Sequence, residues 1–339
     1  MKIREEKLRP YSINTTGADM TLELLSKKLD EGDIIVPEFQ RNQVWNIKKA
    51  SRLIESFLLG LPIPQIFLYK EKKTNELLVV DGQQRLRSIN AFFRGQYGDR
   101  IFRLTDINSE WDGLTYEEMS GPDKRTLKNA ILRSTIFEQV HPDDTRSVLE
   151  VFERLNTGGM SLTPQEVRNA VIGGDLNNLI KELNEYSPWR QLFGKNKTDL
   201  RQRDTEAILR ILALNDNSTE YKKPMYGYLD GYLYNKKVMS ATEITRVRKT
   251  FTEVIDVILD RIGEKAFRPK TSFSQSVAES VFIGVARNFS NLPKDLSGRF
   301  CDLVMTQDFI DATEQHTTDA EKVEMRIGLA IKMFEDEVQ

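Results

Sequence analysis

The chain has 339 residues, with 49 Lys and Arg against 51 Asp and Glu and a formal net charge of −2. That balance excludes a dedicated DNA-coating protein, which would carry a basic surplus, though local basic faces stay open. Cys301 is the single cysteine and His141 and His316 are the two histidines, which excludes an intramolecular disulfide and a structural zinc site of the usual kind.

No apolar run approaches the ~20 residues of a membrane span, and the N-terminus lacks a signal-peptide core. The expectation is therefore a cytoplasmic protein without a membrane partner. The length suits one large or two modest domains with ample core.

Residues 19–31 predict a helix, with Leu22, Leu25 and Leu29 on one face and Gly32 after its end. Ile34-Ile35-Val36 predicts a short strand stopped by Pro37. A helix follows, with Val44, Ile47, Ile54, Phe57, Leu58 and Leu61 as its apolar face and Lys48, Lys49, Arg52 and Glu55 mostly opposite. Gly60 is placed to end it, and Pro62 and Pro64 prevent its continuation. Ile66 to Lys70 is the next strand, Glu71 to Asn75 a polar turn, and strand 77–80 returns antiparallel.

The stretch from Leu77 to Phe93 carries most information. Four consecutive apolar residues, Leu77 to Val80, suit a strand buried on both faces. Asp81-Gly82 makes a tight turn, and Leu86, Ile89 and Phe93 recur at helical spacing within an expected helix 83–94. The first turn of such a helix has free backbone N–H groups and attracts anions, phosphate above all. Gln83, Gln84, Arg85 and Arg87 surround those donors, and an arginine holds a phosphate with two parallel hydrogen bonds. The same spacing also suits a plain strand-turn-helix junction with solvated polar residues, because one glycine is a weak phosphate signature.

Residues 99–122 read as irregular, followed by helix 123–132 and strand 134–140. Pro142-Asp143-Asp144-Thr145 supplies caps for a helix at 145–155, with Val148, Leu149, Phe152 and Leu155 as its stripe. Asn156-Thr157-Gly158-Gly159 ends it, and Thr163-Pro164-Gln165-Glu166 opens the next with a capping box and a proline at the first helical position. From there the pattern is helical: 164–172, 176–185, 204–215, 225–234, 241–262, 275–289, 294–305 and 319–336. Tyr221, Tyr226, Tyr228, Tyr232 and Tyr234 cluster; packing between helices and stacking on bases are both open. Arg201, Arg203, Asp204 and Glu206 stand at a helix start, where acids suit the dipole and a solvated charged face is the default.

Taken together, Pro-x-Phe-Gln-Arg with Trp within Val36 to Trp45, Gly-x-Pro-Ile-Pro within Leu59 to Gln65, and Asp-Gly-Gln-Gln-Arg-Leu within Val80 to Ile89 resemble the GmrSD-type N-terminal domain. Phe152 to Thr163 and Asp199 to Glu206 resemble later blocks of it, so the likeness covers roughly residues 15–215. The resemblance implies an α+β fold: a small ParB/sulfiredoxin-like mixed α/β core followed by a mostly α-helical body. It implies a core at 1–100, a helical extension at 101–215 completing the domain and a C-terminal helical region at 216–339. It also implies binding of a nucleoside triphosphate (NTP) of unassigned base, hydrolysis in some members through the Asp-Gly-Gln-Gln-Arg motif, and service in bacterial restriction or antiphage defence.

On that reading Asp81, Gln84 and Arg85 are the catalytic set, and Gln40, Arg41, Gly82, Gln83, Gln84 and Arg85 cradle the nucleotide. Asn156, Thr157 and Gly158 close the site, Asp81 holds Mg²⁺ or orients water, and Arg201 or Arg203 faces the pocket. Partners implied are nucleotide, a separate nuclease subunit and, left open, DNA. The alternative is a non-catalytic ParB-like DNA-binding or interaction module with nucleotide as a ligand only. The chain is not expected to be a nuclease by itself. His141 and His316 lack a ββα-metal context, and no spaced Asp…Glu-x-Lys cluster stands out. Sulfiredoxin chemistry is also unexpected, because Gln83 or Gln84 stands where its cysteine would be.

Overall fold

The computed structural model describes residues 12–36, 45–71, 74–139, 145–155, 163–199 and 201–336. The chain divides into two compact units, Met1–Leu162 and Thr163–Gln339.

The first unit runs β1 (Ile13–Thr21), α1 (Leu22–Glu31), β2 (Ile34–Ile35), α2 (Ile47–Leu58), β3 (Ile66–Lys70), β4 (Leu77–Asp81) and α3 (Gln83–Arg94). A small hairpin of β5 (Gln96–Tyr97) and β6 (Arg100–Ile101) precedes α4 (Gly121–Asn129), β7 (Ile131–Gln139) and α5 (Thr145–Leu155). Five strands form one mixed sheet in the order β1-β7-β3-β4-β2. β1 with β7 and β3 with β4 are antiparallel, whereas β7 with β3 and β4 with β2 are parallel.

Side-chain alternation explains the layering. Ile66, Leu68 and Val79 join a core with Leu22, Leu25, Ile54, Phe57, Leu86, Ile89 and Phe92 from α1, α2 and α3. Tyr69, Val80 and Phe137 are buried outside that cluster, with the Tyr69 and Phe137 rings 5.6 Å apart. Tyr69 follows Leu68 and so points to the opposite face. α5 packs against β4 and buries Val148 and Phe152 completely.

The expected antiparallel pairing of strands 66–70 and 77–80, and helix 83–94, are present as read. The expected helix 19–31 begins later. Residues 13–21 form an edge strand whose polar side chains face water almost throughout, with Met20 buried. That strand has no apolar alternation to betray it; its nine residues are held by backbone pairing to β7. Thr21 then caps α1, its hydroxyl accepting from the Leu24 N–H at 3.3 Å.

The expected helix 123–132 stops at Asn129. Ser120 caps it, Ala130 turns to extended backbone (ψ 138°), and the strand begins at Ile131 rather than 134. Residues 99–122, read as irregular, are packed nonetheless. Phe102 and Leu104 are fully buried, Phe102 edge-on to Phe92 at 5.2 Å.

The second unit is helical: α6 (Pro164–Val171), α7 (Asp175–Asn184), α8 (Ser187–Phe193), α9 (Arg203–Asn217) and α10 (Met225–Asn235), then α11 (Ala241–Arg261), α12 (Gln275–Arg287), α13 (Leu296–Met305), α14 (Gln307–Glu314) and α15 (Ala320–Met333). α12 is buried along most of its length and packs against α9, α11, α14 and α15. Trp189 centres a second aromatic cluster, with Phe193, Phe251, Phe267 and Phe273 within 5.7–6.1 Å. Two helices were not expected. Pro188, read as a separator, instead occupies the first turn of α8, where a missing N–H costs nothing. α14 follows α13 directly at Thr306. The architecture is α+β: a mixed five-stranded sheet near the N-terminus, then a mostly helical body.

Candidate functional site

The site is built where β4 ends. Phe67 pairs with Asp81 and Leu68 with Val79, so Val80 is one residue too many on its strand. Such a bulge shifts the pleat and re-aims the side chains that follow. Asp81 closes β4 directly after this bulge.

Gly82 follows in the left-handed region, at φ +96°. A Cβ there would lie 2.2 Å from Ile66 Cγ2 and 2.8 Å from Ile66 Cβ. Both the backbone conformation and the space require glycine. α3 starts at the next residue without a side-chain cap. Its first backbone hydrogen bond runs from the Leu86 N–H to the Gly82 carbonyl at 3.1 Å. The N–H groups of Gln83, Gln84 and Arg85 precede that bond and have no acceptor within the helix, which concentrates partial positive charge at this end.

The motif side chains turn to protein groups. Arg85 Nη2 donates to Asp81 Oδ2 at 2.7 Å. Its Nη1 donates to the Pro64 carbonyl and, at 3.2 Å, to the Gln65 carbonyl. The Arg85 side chain is 12% exposed and that of Asp81 40%. Burial pulls the guanidinium below its ordinary pKa, and the Asp81 carboxylate opposes that shift; an arginine stays charged regardless. One guanidinium thus ties the start of β3 to the end of β4 and to α3.

Gln84 Oε1 accepts from the Trp45 N–H at 2.8 Å, and the Tyr97 hydroxyl donates to the Trp45 carbonyl. Lys49 Nζ stands 5.4 Å from the Trp45 ring centroid. Gln83 Oε1 is buried without a hydrogen-bond partner among the described residues. β2 runs parallel to β4, so the chain leaves Val36 heading towards the sheet end that carries Asp81 and Gly82.

The structure thus brings together Asp81, Gly82, Gln83, Gln84 and Arg85. Gln40, Arg41, Asn156, Thr157 and Gly158 lie outside the described residues. In the second unit, Asp204 departs from the solvated face expected of it. It is 1% exposed, and its Oδ2 accepts from Arg190 Nη1 at 2.8 Å, Asn184 Nδ2 at 3.0 Å and the Asp199 N–H at 2.8 Å. It anchors a loop. Arg201 Nε lies 3.9 Å from the buried Glu166 carboxylate, and Arg203, 72% exposed, lies 4.0 Å from Asp199.

The tyrosines are mostly packing groups. The Tyr228 hydroxyl donates to the Ala213 and Asn217 carbonyls at 2.8 Å, Tyr232 to Asp216 at 2.7 Å and Tyr221 to the Thr318 carbonyl at 2.6 Å. Burial pushes the Tyr228 hydroxyl up to about 12. Tyr226 is exposed.

Sequence reading missed two members of the site. Trp45 stood inside a motif without a role, and Tyr97 was not singled out. Both enter through bonds between the Trp45 backbone and side chains distant in the chain, which no local spacing reveals. Among the described residues no group of three His, Cys, Asp or Glu is placed to hold a metal by itself, and none of their helices is long and apolar enough to cross a membrane.

Residues 21–173 match the family described as GmrSD restriction endonuclease, N-terminal domain. No curated protein matches the chain.

Proposed function

Residues 21–173 belong to the GmrSD-type N-terminal domain family, and from that premise we propose that the protein is the NTP-binding and NTP-hydrolysing regulatory component of a bacterial restriction or antiphage system. It acts with a separate nuclease subunit. The observation that carries this reading is the uncapped start of α3 behind Gly82, whose φ of +96° and contact with Ile66 admit no side chain. The N–H groups of Gln83, Gln84 and Arg85 at that start have no acceptor within the helix, and the helix dipole there favours an anion such as phosphate. Hydrolysing a phosphoanhydride asks for positioning and charge neutralisation rather than a covalent nucleophile.

Mg²⁺ fits this arrangement in a limited way. It is commonly held by one or two carboxylates together with substrate phosphates, and Asp81, the partly exposed carboxylate beside the turn, suits that part. The ion would neutralise charge on the phosphates. Of the chain's own groups, Asp81 orients the attacking water or the ion, and Arg85 sets the geometry of the turn and adds positive charge to it.

The test is inorganic phosphate release from the purified chain with Mg²⁺ and each of the four NTPs. We expect release that Asp81→Ala stops while most nucleotide binding survives. Circular dichroism and melting of Asp81→Ala check that the turn still folds. Binding without release would favour the reading of nucleotide as a ligand only. Incubation with plain and modified phage DNA should give no cleavage by this chain alone. Robust cleavage surviving Asp81→Ala and Arg85→Ala would overturn the assignment of the nuclease to a partner.

A further inference from the structure

The register of the sheet sets Asp81, Phe67 and Thr135 in one row across β4, β3 and β7. Residues opposite one another in a sheet share a face. Alternation puts Gln65 and Arg133 on that face too, two residues further towards the start of α3. The Thr135 hydroxyl donates to Gln65 Oε1 at 3.2 Å, and the Gln65 carbonyl accepts from Arg85 Nη1. Further along the same face Tyr69 and Phe137 are buried. At the Asp81 row the face opens: Asp81, Phe67 and Thr135 are half-buried, and Gln65 and Arg133 are exposed. The result is a polar shelf that begins beside Asp81 and crosses β3 to β7.

The charge available to a ligand there is small. The Asp81–Arg85 pair is neutral as a whole, and both terminal nitrogens of Arg85 are engaged with protein oxygens. A nucleoside triphosphate stays anionic after taking up one Mg²⁺, and the start of α3 offers only a partial positive charge. Among the described residues of the five-stranded sheet the cations are Lys70 and Arg133. Lys70 pairs with Leu77, at the end of β3 away from Asp81. Arg133 stands on the open shelf. Its side chain is 79% exposed and its pair with Asp19 is at 4.0 Å, so little holds it back from a ligand. Asp81 and Thr135 are two strand spacings apart, about 10 Å, a gap that a phosphate chain and an extended arginine close from its two sides.

We propose that Arg133 is a further binding residue of this site, which meets the phosphate chain of the nucleotide across β3 from Asp81. This rests on the nucleotide reading of the site. Arg85 shapes the turn, and Arg133 brings positive charge to the part of the ligand that lies beyond it.

The experiment uses the full chain with Arg133→Ala, Arg133→Lys and, as a charge-matched control, Arg94→Ala. Arg94 closes α3 at the end away from Gly82 and is exposed. The readout is equilibrium binding of Mg·ATP and Mg·GTP at one salt concentration, with melting temperatures to check folding. Arg133→Ala should weaken binding about tenfold, the scale of a charge-assisted contact. Arg133→Lys should recover part of the loss, because it restores the charge without the planar fork. Arg94→Ala should stay within about twofold of the wild type.

Equal affinity in Arg133→Ala and the wild type overturns the proposal and leaves the nucleotide reading standing. An equal loss in Arg94→Ala would show a general effect of charge, and also overturns it. If the wild-type chain binds neither nucleotide, the nucleotide reading fails. Tripolyphosphate, which has neither base nor sugar, then tests the shelf by itself. Binding that Arg133→Ala weakens keeps Arg133 as a polyphosphate contact; binding indifferent to that change, or no binding, overturns the proposal.

Discussion

Each unit contains a carboxylate locked to arginine, and the two locks differ in their relation to water. Asp81 is 40% exposed beside an Arg85 side chain that is 12% exposed. Glu279 in α12 is fully buried and shared between two arginines. Arg210 Nε donates to its Oε1 at 2.6 Å, Arg326 Nη2 to its Oε2, and Gln275 Nε2 to Oε1 at 3.0 Å. The sealed lock has both oxygens committed to the protein, so it serves the helical core. The open lock lies beside uncapped helix N–H groups and a glycine packed on Ile66. Charge pairing is common to both; access separates a structural triad from a candidate site.

Removing Glu279 should break the comparison most violently. Glu279→Ala removes the carboxylate that both buried guanidinium groups donate to, a loss of about 3–5 kcal/mol, read by urea unfolding of the full chain. The pH dependence follows from the same contacts. Burial alone would raise the Glu279 pKa, but Arg210 and Arg326 outweigh it and hold the carboxyl below the usual carboxylate range. A depressed folded value gives stability that is present above the unfolded pKa, near 4.5, and is lost as pH falls through the folded value. Acid unfolding of the wild type should therefore set in below that range, and Glu279→Gln should flatten that part of the profile.

Gly82→Ala comes next. The left-handed conformation and the displacement of Ile66 together should cost about 2–4 kcal/mol, and nucleotide binding should be lost with the shape of the turn. An alanine variant of normal melting temperature and normal affinity would remove the basis of the site. For Arg85→Ala the larger effect falls on the ligand. Losing a charged donor costs ~1.5–3 kcal/mol, so affinity for Mg·NTP should fall roughly ten- to hundredfold while the fold survives. Unchanged affinity in a well-folded variant would make Arg85 a brace for Pro64 and Gln65 and nothing more.

The contrast between the locks also marks what could be read from sequence. The β3, β4 and α3 run was legible because its signals are local: apolar strands, a proline-bounded start, and Asp-Gly before a 3.6-residue period. β1 was not, because an edge strand held by backbone pairing to β7 needs no apolar side chains. Asp204 reads as a solvated charge in sequence because its partners Asn184 and Arg190 come from α7 and α8. The sequence placed Gln84 and Arg85 at the helix start correctly, but their contacts with Trp45, Pro64 and Gln65 are decided 20–39 residues away in the chain. The bulge at Val80 likewise exists in the pairing of two strands and leaves no trace in one.

Arg203 gives the smallest expected effect and the sharpest limit on the charged block at the start of α9. Its side chain is 72% exposed and its ion pair with Asp199 is at 4.0 Å, the outer edge of contact. Water screens such a pair, so Arg203→Ala should change stability by less than about 0.5 kcal/mol. The neighbouring Asp204 is the opposite case: Asp204→Ala would strand Arg190, which is 6% exposed, and loosen the loop that Arg190 holds through the Lys195 and Lys197 carbonyls. Two charged residues in one sequence block thus differ because one faces water and the other faces the core. Nucleotide affinity of Arg203→Ala should match the wild type within about twofold, since an exposed, screened side chain contributes little where it stands. A tenfold loss at unchanged stability would instead make Arg203 a contributor to nucleotide binding.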